Sequence, residues 1–171
     1  MVGRGSGIPD PTAVAEIRQL IASPKAWVAS GEMTWVDAGA RPRGFKFRER
    51  LALADGSQPA NLFVECYFKP SDFQGCDKLS LGLFFNHSRV FALDENGPGG
   101  HFNGVGVGRQ HYKGRVGFPH LHTVSDDSID GYAEPLESMS FENYWDYFVS
   151  GAGITRAPSF QLPMLQLGLP V

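Results

Sequence analysis

The sequence predicts an α+β fold, an antiparallel sheet of about five to six strands with an N-terminal and a C-terminal helix packed on one face. Three observations predict it. A capped helix pattern opens at residue 10, a capped aromatic one closes near residue 153, and between residues 26 and 93 apolar positions recur at strand spacing. At 171 residues the chain is sized for one core, so 1–171 reads as a single domain. Residues 1–9 are a Gly-rich, flexible N-terminus and 157–171 an extended, Pro-containing tail.

The first helix starts at Asp10-Pro11. Asp accepts from free N–H groups at a helix start, and Pro suits the first helical position. Val14, Ile17, Leu20 and Ile21 then share a face, and Ser23-Pro24 ends the run. Segments 26–29 and 33–36 flank Ser30-Gly31-Glu32, which reads as a hairpin turn. In 44–54, Phe45, Phe47, Leu51 and Leu53 point one way, and Lys46, Arg48 and Arg50 the other. Apolar strands follow at 61–68 and 79–85, then at 89–93. Residues 94–119 hold eight glycines and form a long loop or arm, the kind of segment that carries function. A short strand is expected at 120–124 and an acidic turn at 126–130. Ser140 caps a helix over 141–149, whose Phe141, Tyr144, Trp145 and Phe148 recur at core-packing spacing, and Gly151 and Gly153 close it.

Composition excludes several classes. The net charge of −3 argues against bulk polyanion binding, so any nucleic-acid contact must be local. No run of roughly 20 apolar residues is present to span a bilayer. The N-terminus lacks an apolar leader, which gives a cytoplasmic expectation with no membrane partner. Cys66 and Cys76 read as small buried apolar residues that form no disulfide.

Four of the five histidines lie between residues 94 and 123. On a strand, His120 and His122 of His120-Leu121-His122 share a face, with Leu121 opposite. Two adjacent imidazoles can act as general acid and base near neutral pH. They can instead supply two ligands to a zinc-like divalent metal, with a third from His101, His111 or His87. Two basic stripes accompany them. Arg109, His111, Lys113 and Arg115 share a face if 109–115 is extended, and Lys46, Arg48 and Arg50, preceded by Arg41 and Arg43, form the second. Such stripes suit phosphate. Gly104-Val105-Gly106-Val107-Gly108 has neither the following helix nor the Lys-Ser/Thr pair of a phosphate loop, and reads as a hairpin arm.

Leu93-Asp94-Glu95-Asn96-Gly97-Pro98 with His101 and Asn103, then Pro119-His120-Leu121-His122, then Tyr132-Ala133-Glu134-Pro135-Leu136, resemble a family of small, uncharacterised prokaryotic proteins. The resemblance spans about residues 45–155. It implies mobile-element, toxin–antitoxin or phage-defence neighbourhoods and singles out Asp94, Asn96, His101, His120 and His122. The segment 104–117 is an insertion relative to that pattern.

Three functions follow as expectations. The first is a metal-independent phosphodiesterase or ribonuclease, without cofactor. His101, His120, His122, Asn96 and Asp94 would be catalytic, and Arg109, His111, Lys113, Arg115, Lys46, Arg48 and Arg50 would hold RNA or a nucleotide. The second is a non-catalytic protein that grips a protein or nucleotide partner. The third is a metalloenzyme with His101, His120 and His122 as ligands.

Overall fold

The computed structural model describes residues 9–29, 31–39, 44–71, 73, 75–97 and 99–163. The expectations for residues 1–8, Ser30, Arg41, Arg43, Pro98 and residues 164–171 lie outside them. Helix α1 (Pro11–Ala22) forms as its cap predicts, with the Asp10 carboxylate accepting from Thr12 N. The strands are β1 (Lys25–Trp27), β2 (Val36–Asp37), β3 (Phe45–Ala52), β4 (Leu62–Lys69), β5 (Lys78–Phe85) and β6 (Ser88–Glu95). After them come β7 (His101–Phe102), β8 (Arg115–Val116), β9 (His120–Ser125) and β10 (Ser128–Pro135). Helix α2 (Phe141–Gly151), capped by Ser140, and β11 (Ile154–Thr155) complete the order.

The main sheet has nine strands, in the order β10-β9-β6-β5-β4-β3-β1-β11 with β2 paired to β3. That exceeds the five or six expected, and the sheet is mixed, because β1 and β11 run parallel. The additional strands had little pattern to betray them. Strands β7, β8 and β11 span only two residues each, and alternation in β10 is broken by Gly131 and by a register shift between Ser128 and Tyr132. No hairpin joins β1 to β2. Strand β1 pairs with one end of β3 through Trp27 and Leu51, and β2 with the other through Val36 and Lys46.

The core lies on one face of the sheet. Phe45, Phe47 and Leu51, then Leu62, Val64, Cys66 and Phe68, then Leu79, Leu81 and Leu83, are buried at alternate positions of β3, β4 and β5. Both helices feed the same cluster: α1 through Val14 and Ile17, α2 through Tyr144, Trp145 and Phe148. Helix α1 lies against β6, β9 and β10, and α2 against β5, β6 and β11. Trp145 meets Trp27 edge-on at 5.9 Å between ring centres, and Phe148 stacks on Phe91. No helix among the described residues is long and apolar enough to cross a membrane.

What positions the site is the other face. Strand register sets Ser80, Asp94 and His120 abreast on β5, β6 and β9, with Ala92 opposite His122, while Leu81, Leu93 and Leu121 face the core. The glycine-rich segment 99–117, including the β7–β8 ribbon, folds back over this second face.

Candidate metal centre

His120 and His122 share a face of β9, as their spacing requires, but they are not a surface pair: they are 2 % and 8 % exposed. The arm accounts for their burial. Asn103, just after β7, is fully buried and behaves like an added strand residue. Its amide donates to Ala133 O at 2.9 Å and accepts from Ala133 N at 2.8 Å, while also donating to His111 O. Asp127 takes the N–H groups of Gly106 and Val107, which ties the arm's turn to the β9–β10 hairpin. Gly106 has φ +93°, and a Cβ there would lie 2.1 Å from Tyr132 Cδ2, so only glycine lets the arm close.

Closure brings His101 from β7 onto the pair. Ring centres lie 4.7 Å apart for His101–His122, 5.6 Å for His101–His120 and 4.8 Å for His120–His122. One ring nitrogen from each lies within 4.8 Å of the other two, close enough to hold one metal ion.

Main-chain carbonyls fix which nitrogens are available. His120 Nδ1 faces Gly117 O at 2.8 Å and must donate to it, so in the neutral ring Nε2 carries the lone pair. His101 Nε2 likewise donates to Gly131 O at 2.8 Å, which leaves its Nδ1 with the lone pair. A carbonyl on one ring nitrogen and a lone pair on the other is how proteins orient metal-ligating imidazoles.

Behind the pair sits Asp94. Its Oδ2 lies 3.1 Å from His122 Nε2 and 3.6 Å from His120 Nε2, and those two nitrogens are 3.1 Å apart. Arg89 grips the carboxylate with both terminal nitrogens, Nη1 to Oδ2 at 2.8 Å and Nη2 to Oδ1 at 2.7 Å. Ser80 Oγ donates to Oδ1 at 2.6 Å. Burial alone would raise this carboxyl. The hydrogen bonds from Arg89, then His120 and His122, together with the Arg89 charge, hold it far below the usual carboxylate range. Burial pulls His122 below the ordinary imidazole value, and the hydrogen bond to Asp94 opposes that.

His101, His120 and His122 thus converge, with Asp94 against His120 and His122. Asn96 does not join them: it is a turn residue with φ 60°, its Oδ1 accepting from Gly97 N and its Nδ2 reaching Gly75 O. The first basic stripe is also absent, because segment 104–114 is a run of turns closed by Arg109 N→Gly106 O, Tyr112 N→Arg109 O and Gly114 N→His111 O. Its cations disperse. Arg109 lies over Tyr132 and reaches Thr123 and Glu134, Lys113 has φ 57° and folds over Tyr112, and Arg115 holds Gly99 O. Arg109 and His111 do share an open groove of about 500 Å³ with Gln110, Tyr132, Glu134 and Pro135. Lys46, Arg48 and Arg50 are exposed on one face of β3, but three strand spacings, roughly 14 Å, separate β3 from β6. Arg48 is taken by Glu65 at 2.6 Å. His87 sits in the tight β5–β6 turn at φ 68°.

Arg89 and Ser80 are site residues that pattern reading did not select. The signal was Gly82, in the interior of a strand. A Cβ at Gly82 would lie 2.9 Å from Arg89 Nε, so glycine lets the Arg89 side chain run over β5 and reach Asp94 on its own strand.

The chain was compared with family models, with curated proteins and with solved structures, and it matches none of them.

Proposed function

We propose that this protein is a metalloprotein in which His101, His120 and His122 hold one divalent transition metal, and that the ion serves hydrolysis of a phosphate ester. The observation that carries the metal reading is the orientation of two imidazoles by carbonyls. His120 spends its N–H on Gly117 O and turns its Nε2 lone pair toward His122 Nε2, 3.1 Å away, while His101, held by Gly131 O, brings a ring nitrogen within 4.8 Å of the other two. Three imidazoles suit an ion of the zinc class, which supplies Lewis-acid chemistry to an oxygen substrate. The phosphate-ester reading rests on the open groove in which Arg109 and His111 offer cationic and hydrogen-bonding groups.

The alternative is the metal-free one, with His120 and His122 as acid and base on RNA. The short contacts of Asp94 with both rings favour it, since a carboxylate behind an imidazole raises its basicity. Burial of both rings and the bond from His120 to Gly117 O argue for the metal.

Calorimetric titration of chelator-stripped protein with Zn²⁺, Mn²⁺ and Co²⁺, followed by cleavage of a short RNA with each ion or with EDTA, tests both readings. The metal reading expects binding of at least one ion and cleavage only with it. Cleavage in EDTA that is lost in His120→Ala would establish the metal-free route, and absence of binding would remove the metal centre.

A further inference from the structure

We infer that Asp94 is a fourth ligand of that ion, donating through Oδ2, and that Arg89 and Ser80 hold its other oxygen in place. This rests on the metal reading above and adds the ligand it leaves unassigned. The three atoms His120 Nε2, His122 Nε2 and Asp94 Oδ2 form a triangle with edges of 3.1, 3.1 and 3.6 Å. Ligand bonds of about 2.0–2.1 Å in a tetrahedral site put ligand atoms roughly 3.3 Å apart, so the triangle has the dimensions of one face of such a polyhedron.

Hydrogen bonding accounts for the triangle less well. His120 Nε2 has no proton to give in the neutral ring, because Nδ1–H is committed to Gly117 O. Asp94 Oδ2 is an anion. A single proton on His122 Nε2 can serve both neighbours, but it leaves a lone pair and an anionic oxygen facing each other at 3.6 Å. A cation at the centre satisfies all three atoms at once. A carboxylate that only orients a ligating imidazole faces one N–H, whereas one oxygen of Asp94 faces two ring nitrogens. Arg89 Nη2 and Ser80 Oγ reach Oδ1, and outside the imidazole pair Oδ2 meets Arg89 Nη1. The oxygen on the imidazole side therefore keeps a lone pair for the ion.

Co²⁺ reports this directly, because its visible absorption follows ligand number and type. The full chain, stripped of metal, is titrated with Co²⁺ as wild type, Asp94→Ala and His120→Ala. A ligand role for Asp94 predicts that Asp94→Ala weakens Co²⁺ binding about 100-fold or more and changes the band positions, with His120→Ala abolishing the bands. If Asp94→Ala keeps the wild-type spectrum and affinity within threefold while His120→Ala loses both, Asp94 is not a ligand and the three-histidine centre stands. If wild type itself takes up no Co²⁺, both readings fall. Should Asp94→Ala not fold, the pair Arg89→Met/Asp94→Leu, which removes both buried charges, decides once circular dichroism shows it folded. Loss of Co²⁺ binding by about 100-fold or more is expected, and binding within threefold of wild type overturns the proposal.

Discussion

Arg89 reaches from β6 across Gly82 of β5 to seize the Asp94 carboxylate with two hydrogen bonds, at 2.7 and 2.8 Å. The pair is mostly out of solvent, so its charges are strong for each other and costly alone. Removing one partner should therefore cost more than removing both. Asp94→Leu is expected to destabilise the fold by about 3 kcal/mol and Arg89→Met/Asp94→Leu by clearly less, read from denaturant midpoints at neutral pH. Equal losses in single and double variants would mean that the pair is not coupled.

The centre joins the arm to the main sheet, beside the bonds that Asn103 and Asp127 already make between them. His101 belongs to the arm, and His120 and His122 to the main sheet. An ion held by all three should slow amide exchange across 101–116 by about tenfold or more, since binding adds its free energy to arm closure. Exchange elsewhere in the sheet should move little. Uniform protection along the chain would contradict an arm-specific link.

Gly106 tests the same closure from the other side. Alanine there must take φ +93° and collide with Tyr132. Gly106→Ala should open the arm and weaken metal binding at least tenfold. The sheet's own thermal transition should change by only a few degrees. Wild-type metal affinity in this variant would show that the arm does not shape the centre.

Lys25 gives a pH signature remote from the site. It is buried, and its ammonium donates to Leu20 O, Ile21 O and Ser23 O at the end of α1. Burial lowers its pKa from 10.5 to about 8. The unfolded chain therefore binds this proton more tightly than the folded one, and stability should rise between pH 8 and 10 by about 1–2 kcal/mol, the carbonyl bonds reducing the full effect. Lys25→Met should abolish the rise. A flat profile in wild type would mean that the carbonyls fully offset burial.

Much of this was legible in the sequence where a period or a cap carries the signal. Asp10-Pro11 and Ser140 mark helix starts that the structure keeps, and strict alternation in 45–51 marks β3. The His120/His122 pairing follows from strand geometry alone. His101 approaches through turns set by glycines and by Asn103, a buried side chain mimicking a strand, and neither has a period. The basic stripe at 109–115 required an extended backbone, and the turns closed by Tyr112 N→Arg109 O and Gly114 N→His111 O, with Lys113 at positive φ, forbid it. Arg89 runs over its neighbouring strand past Gly82, a path that only tertiary pairing reveals.

Metal content decides most directly. Wild-type protein purified without chelator or affinity metal, and His120→Ala and His122→Ala prepared alongside, would be measured by elemental analysis with folding checked by circular dichroism. The account predicts about one transition-metal ion per wild-type chain and less than about a tenth in either folded variant. Wild-type protein that stays metal-free after incubation with each divalent ion, or folded variants that retain the full complement, would contradict it.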